Sequence, residues 1–150
     1  MSTAAANEIA APSDHGGPTY QVAADGTVDW STFNGFRRYG ASCLHCHGAD
    51  GLGSTFAPSM TEALKTRSYA DFVRIVESGE ISTVGGVQSV MPPFGNDPNV
   101  KCYTDDIYIY LKARSNGAIP RGRPVKREPQ SDSQRQAEEQ CLRSFGVAGQ

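Results

Sequence analysis

The sequence predicts a small all-α domain, and three observations carry that prediction. Apolar residues recur at helical spacing in three separate segments, with capping residues before the first two and a glycine stop after the second. A Cys-x-x-Cys-His run, Cys43-Leu-His-Cys46-His47, follows the first segment directly. The flanks of that run, Tyr39-Gly-Ala-Ser42 and Gly48-Ala-Asp-Gly51, lack the alternating strand and helix pattern of a redox-active cysteine pair. A length of 150 residues is a prior for one domain, and 38% hydrophobic content can enclose only a small core.

Residues 1–27 are rich in Ala, Ser, Gly and Pro and read as an irregular N-terminal arm, in which His15 is expected to be solvated. Asp29 can cap a first helix whose inward face includes Phe33, Phe36 and Tyr39, so the cysteine motif emerges from a helix end. Gly48, Gly51 and Gly53 permit a tight loop beyond it. A second helix is expected from about Ser68 to Ser78, with Ser68 as cap, Gly79 as stop, and Phe72, Val73 and Val76 on one face. A long loop leads to a third helix beginning at Thr104, which turns Ile107, Tyr108, Tyr110 and Leu111 inward. After Asn116-Gly117 the chain becomes polar, proline-bearing and charged, so 116–150 read as a tail tethered to the 28–115 body.

Two thiols three positions apart, followed at once by an imidazole, suit covalent attachment of haem. Each thiol can add to one vinyl group while His47 ligates iron axially. A structural zinc site would draw a second ligand pair from elsewhere, and His15, Cys102 and Cys141 are too scattered to supply it. His45, inside the motif, is expected to be exposed and to have no ligand role.

A sixth ligand distinguishes an electron carrier from an oxygen-handling haem, and methionine sulfur raises the reduction potential. Met91 is the expected ligand, because it opens Met91-Pro-Pro-Phe-Gly95 in the long loop that can cross to the other haem face. Met60 is expected to pack against the porphyrin edge as core. Pro58 either offers its carbonyl to Nδ1 of His47, fixing the ring, or is only a turn residue.

Gly35-Phe36 and Tyr39, the attachment motif, the Pro58 loop, the middle helix, Met91-Pro-Pro-Phe-Gly95 and the aromatic last helix together resemble a class I cytochrome c over roughly residues 28–115. A narrower likeness rests on Asp29-Trp30, Gly53-Ser-Thr-Phe-Ala-Pro58, Asn99-Val-Lys-Cys-Tyr103, Tyr110-Leu-Lys-Ala-Arg114 and Arg121-Gly-Arg-Pro124. These segments are similar to the cytochrome cL group. That resemblance implies one haem c on Cys43, Cys46, His47 and Met91. It also implies a donor that is a periplasmic methanol or alcohol dehydrogenase carrying pyrroloquinoline quinone (PQQ) with calcium or a lanthanide. A downstream c-type cytochrome or oxidase would be the acceptor, and the chain would be an electron-transfer monomer, not an enzyme. The stretch from Lys126 onward matches no part of the pattern.

Cys102 and Cys141 form an even pair, and bridging them would pin the tail beside the third helix. Closing 39 residues stabilises by roughly 4 kcal/mol in the chain-entropy account. Two unconnected buried thiols are the alternative. Charge is uneven, with five Lys and Arg against ten Asp and Glu in residues 1–100, and nine against six in 101–150. Arg114, Arg121, Arg123, Lys126 and Arg127 either tether the tail to the body or neutralise haem propionates and dock a partner, salt-sensitive association being the mark of the second. A short basic cluster on an acidic chain argues against nucleic acid. No apolar run approaches the eighteen or so residues that span a bilayer. The opening residues lack a secretion signal, yet covalent haem and a spare cysteine pair suit an oxidising compartment, so a periplasmic protein whose export signal has been removed is expected. The competing classes are a general carrier for another dehydrogenase, and a sensor or peroxidase with an open sixth position.

Overall fold

The computed structural model describes residues 15–147. Met1 and most of the expected N-terminal arm lie outside the described residues. The body is helical: α1 Trp30–Ser42, α2 Leu44–His47, α3 Met60–Ala63, α4 Tyr69–Ser78, α5 Pro98–Lys101, α6 Thr104–Ser115 and α7 Asp132–Ser144, with one 3₁₀ turn at Ala49–Gly51.

Of the three long helices expected in the body, two begin where their caps dictate. Asp29 accepts from the Thr32 amide at 3.3 Å, and Ser68 from the Asp71 amide at 3.1 Å. Tyr103 precedes α6 without a side-chain cap, and the Thr104 hydroxyl instead donates back to the Val100 carbonyl. From Ile107 to Ala113 every α6 residue is buried, so this helix has no solvent face there and forms the middle of the core.

α1 crosses α6 in direct backbone contact at Gly35. A Cβ placed there would lie 1.9 Å from the Asp106 carbonyl oxygen, so no larger residue fits without separating the helices. Aromatic rings seal the crossing. Tyr110 meets Phe36 edge-on with centroids 5.7 Å apart and Tyr39 at 5.6 Å. Lys112, buried on α6, donates to the Leu64 carbonyl at the end of α3, which anchors that short helix to the core.

Two features differ from the sequence expectation. The long loop before α5 contains an antiparallel hairpin, β1 Glu80–Val84 and β2 Val87–Met91, with Val84 opposite Val87 and Glu80 opposite Met91. Its physical cause is Gly85-Gly86. Both have positive φ, 58° and 79°, which is what a two-residue turn matching strand twist requires. The C-terminal tail, in turn, is not wholly irregular. Ser131 accepts from the Gln134 amide while the Gln134 side chain accepts from the Ser131 amide, a reciprocal cap that starts α7 without any buried residue on it.

Between α6 and α7 the chain crosses the outer side of α1 as a strap. The Val28 amide donates to the Lys126 carbonyl and the Glu128 amide to the Val28 carbonyl, at 3.0 and 2.8 Å. Arg127 stacks over Trp30 and Phe33, and Arg123 over Phe33. α7 is then fixed by a disulfide between Cys102 and Cys141. Beside it the Tyr103 hydroxyl donates to Glu138 at 2.5 Å, and Arg38 lies 3.5 Å from the Tyr103 ring centroid. Residues 15–27, though irregular, are held to the body. The Asn116 side chain donates to the Tyr20 hydroxyl, and the Tyr69 amide to the His15 carbonyl. His15 is half-buried with Nε2 3.0 Å from the Lys65 carbonyl, so it is not simply solvated.

Candidate functional site

α1 ends where the cysteine motif begins. The Cys43 amide donates to the Tyr39 carbonyl at 2.9 Å, and α2 runs on from Leu44 to His47. The motif is therefore helical, with both cysteines at one end of α1 and His47 buried. His45 is exposed. Burial, and secondarily the neighbouring Cys46, pushes the free Cys43 thiol up to about 11, so before any attachment it is held protonated in an apolar wall.

The loop after the motif folds back on itself. The Gly53 amide donates to the His47 carbonyl at 2.7 Å, and a Cβ on Gly48 would stand 2.3 Å from the Gly53 oxygen. With Gly48 at φ 77° only glycine suits both demands. The Tyr39 hydroxyl donates to the Gly48 carbonyl at 2.5 Å, and burial drives its pKa far above the usual phenol value. This folded loop presents the Pro58 carbonyl to Nδ1 of His47 at 3.1 Å. Of the two roles open to Pro58, the carbonyl acceptor is the one the geometry gives. Nδ1 then carries the proton, and Nε2 is the nitrogen with a free lone pair for a metal.

A cavity of about 350 Å³ opens beside the motif. Cys43, Cys46, His47, Pro58, Met60 and Met91 all line it, together with apolar residues of α4 and α6 such as Phe72, Ile75 and Leu111. The six residues singled out from the sequence are thus brought to one wall system. Both methionines are half-buried. Met60 starts α3, two residues beyond the carbonyl that holds His47, whereas Met91 ends β2 on the independent hairpin.

The cavity suits a flat, apolar group bearing iron. It supplies two nearby thiols, an imidazole with a fixed tautomer, a second sulfur donor on a separate element and a largely apolar lining. Among the described residues no cluster of three or more His, Cys, Asp or Glu could hold a metal ion by itself. The comparisons agree with that fit. Residues 32–111 match the family model described as cytochrome c oxidase, cbb3-type, subunit III. The chain belongs to the cytochrome c family. It is 50% identical over 125 residues to cytochrome c-553I of Paracoccus denitrificans, covering 83% of this chain and 55% of that protein. It thus spans about half the length of that curated relative. Cytochrome c-555 of Methylococcus capsulatus is 38% identical over 96 residues, 63% of this chain and 72% of the relative. The crystal structure of the c-type cytochrome XoxG from Methylobacterium extorquens AM1 superposes with a TM-score of 0.78 at 44% identity, covering 86% of this chain and 79% of that one. The fold is accordingly that of a class I cytochrome c, and membership of the family carries covalently bound haem c with it.

Three site features escaped the sequence reading. Arg67 and Glu80 line the cavity and pair at 3.9 Å, one from the loop between α3 and α4 and one from the start of β1, positions that apolar periodicity does not mark. The hairpin contributes Ser82 and Ser89 to the wall, and the Gly85-Gly86 turn was its available signal. Asp50, in the left-handed region at φ 58° and only 9% exposed, follows the motif by three residues. It accepts from the Gly122 amide at 2.7 Å and from Arg121 at 2.9 Å. Burial opposes its charge, but the Gly122 amide and the Arg121 and Arg114 guanidinium groups outweigh that and hold the carboxyl below its ordinary range. The basic residues of the tail act here as tether. Arg114 donates to the Asp50 and Ile119 carbonyls, Lys126 reaches Asp25, and none of the five lines the cavity.

Proposed function

We propose that this chain is a mono-haem electron carrier of the periplasm that accepts electrons one at a time from a PQQ-dependent methanol or alcohol dehydrogenase and passes them to a c-type cytochrome or oxidase, residues 28–115 being its haem domain. The observation that carries the carrier reading is the convergence of Cys43, Cys46, His47 and Met91 on one apolar cavity. Bound haem c supplies one-electron chemistry at iron. Cys43 and Cys46 tether it, His47 offers Nε2 while Pro58 fixes Nδ1, and Met91 offers sulfur. Met60 is the weaker candidate for that sulfur. Its Cβ lies against Gly51, on the side of the loop that already grips His47, so it cannot readily reach the opposite side.

The donor class rests on the loop segments similar to the cytochrome cL group, and the names of the relatives, all cytochromes, are compatible with it. No helix among the described residues is long and apolar enough to cross a membrane.

Two measurements test the reading. Stopped-flow mixing of ferric protein with purified methanol dehydrogenase and methanol should give rapid reduction; no reduction by any PQQ alcohol dehydrogenase, with efficient reduction by an unrelated donor, removes the donor assignment. Met91→Ala should abolish the ferric sulfur-to-iron charge-transfer band and leave a high-spin spectrum that responds to cyanide, while Met60→Ala keeps the band. A wild-type protein already high-spin and ligand-responsive would indicate a sensor or peroxidase instead.

A further inference from the structure

Residues that both line the cavity and face solvent mark its mouth. Phe56 is 76% exposed and Val90 63%, and they come from separate segments of the chain, the loop after the motif and β2. The hairpin between α4 and α5 forms one lip. In its register Glu80 pairs with Met91 and Ser82 with Ser89, and these four border the cavity. Successive side chains alternate across a strand, so Ile81, opposite Val90, is turned from the Ser82 face; Val90 still reaches the cavity rim, whereas Ile81 does not line it. Ile81 is 67% exposed, and so is Val87 at the tip. A group seated in the cavity meets the Ser82 face and leaves Ile81 uncovered.

The same lips carry little formal charge. Residues 39–49, 51–61 and 81–96 contain no Lys, Arg, Asp or Glu. The two charged residues that line the cavity, Arg67 and Glu80, are paired with each other. The basic cluster of the tail is engaged in the strap, with Arg123 and Arg127 stacked on the rings of α1. A partner that pressed charged side chains against these lips would desolvate them with no counter-charge to receive them. Exposed apolar side chains gathered at one opening instead mark a contact surface.

We infer that the β1–β2 hairpin is the docking element for the electron donor, and that the face it meets on that donor is apolar and uncharged. The inference rests on the carrier reading above, since a donor to a group held in this cavity must approach the mouth. Association is then carried by burial of Ile81, Val87, Val90 and Phe56, with little electrostatic steering.

The test is stopped-flow reduction of full-length ferric holoprotein by purified methanol dehydrogenase with methanol, from about 20 to about 300 mM salt, for wild type, Ile81→Lys, Ile81→Glu and the strap variant Val125→Lys. The wild-type second-order rate should change less than about threefold across that range. Both Ile81 variants should slow it by about tenfold, whichever sign of charge is introduced, while Val125→Lys, at a still more exposed valine away from the mouth, leaves it unchanged. Reduction by dithionite, the haem spectrum and the midpoint potential should be the same in all four proteins. Opposite effects of Lys and Glu, a steep salt dependence, or wild-type rates in both Ile81 variants overturn the hairpin assignment while leaving the carrier reading intact. A changed spectrum or potential in the Ile81 variants would mean that the hairpin's outer face serves haem packing, and also overturns it. So would a wild-type dimer that Ile81→Lys dissociates, which gives the patch to a second copy. Failure of wild type to be reduced at all overturns both readings together.

Discussion

Asp50 offers a sharp stability test, because one buried carboxylate joins the haem-side loop to the strap. The perturbation is Asp50→Asn, which keeps the size and the tolerance for the left-handed backbone at φ 58° but removes the charge. Two hydrogen bonds are affected, from the Gly122 amide at 2.7 Å and from Arg121 at 2.9 Å. Arg121 is 67% exposed, so its ion pair is screened and contributes under about 1 kcal/mol. The Gly122 bond to a buried carboxylate is the larger part, of order 1.5–3 kcal/mol, and an amide oxygen recovers some of it. The expected loss at pH 7 is therefore about 1–2 kcal/mol.

The pH dependence fixes the sign. The Asp50 carboxyl is held below the ordinary aspartate value in the folded protein, so the unfolded chain takes up the proton first as pH falls. Its stabilisation is fully present above about pH 5 and is lost as pH drops through the folded value. Urea unfolding of ferric wild type and Asp50→Asn at pH 7 and near pH 3 should show the difference between them shrinking towards zero in acid. A difference of unchanged size at both pH values would show that Asp50 acts through shape and not charge, and would refute this account of the strap.

Replacing both Cys102 and Cys141 by Ser should lower stability by up to roughly 4 kcal/mol from the 39-residue loop, read by urea unfolding, and should raise amide exchange first in α7, which buries no residue of its own. Gly35→Ala should cost at least about 3 kcal/mol or prevent haem maturation, because its methyl would collide with the α6 backbone; a variant as stable as wild type in thermal melts would disprove the crossing described here. Arg67→Gln should lower the midpoint potential by some tens of mV, on the order of one screened charge near the cavity, since a cation there favours the less positive ferrous state. Spectroelectrochemistry giving no change or a rise instead would show that the Arg67 charge does not act on the group in the cavity.

Much of the haem-binding body is legible in residue type and spacing. Asp29 and Ser68 announce two helix starts, and the apolar side chains of α6 are buried as their spacing demands. The hairpin and α7 are invisible to that method for opposite reasons. β1 and β2 expose Ile81, Val87 and Val90, so no apolar face separates from a polar one, and only the Gly85-Gly86 turn betrays them. α7 has no buried residue at all, and its signature is the Ser131 and Gln134 cap together with the cysteine that ties it down. Asp50 is harder still. Nothing near it in the chain marks it as a buried anion, because its partners lie about seventy residues away and meet it only once the strap has crossed α1.

The separation of charge along the chain has a consequence for how salt should act. The acidic first part and basic last part meet within the molecule, at Asp25 with Lys126 and Asp50 with Arg121. Ion pairs at exposed or half-exposed sites weaken as the Debye length contracts, so added salt loosens the strap. The lips of the cavity offer little to screen, since the charged residues there, Arg67 and Glu80, are paired with each other. Salt should therefore lower the resistance of residues 118–130 to proteolysis while leaving the rate of encounter with a donor nearly constant, a pairing of effects that a surface using its basic cluster for docking would reverse. Measured on one sample, the two responses separate a tether from a steering patch, because only the steering patch ties its salt dependence to the second-order rate.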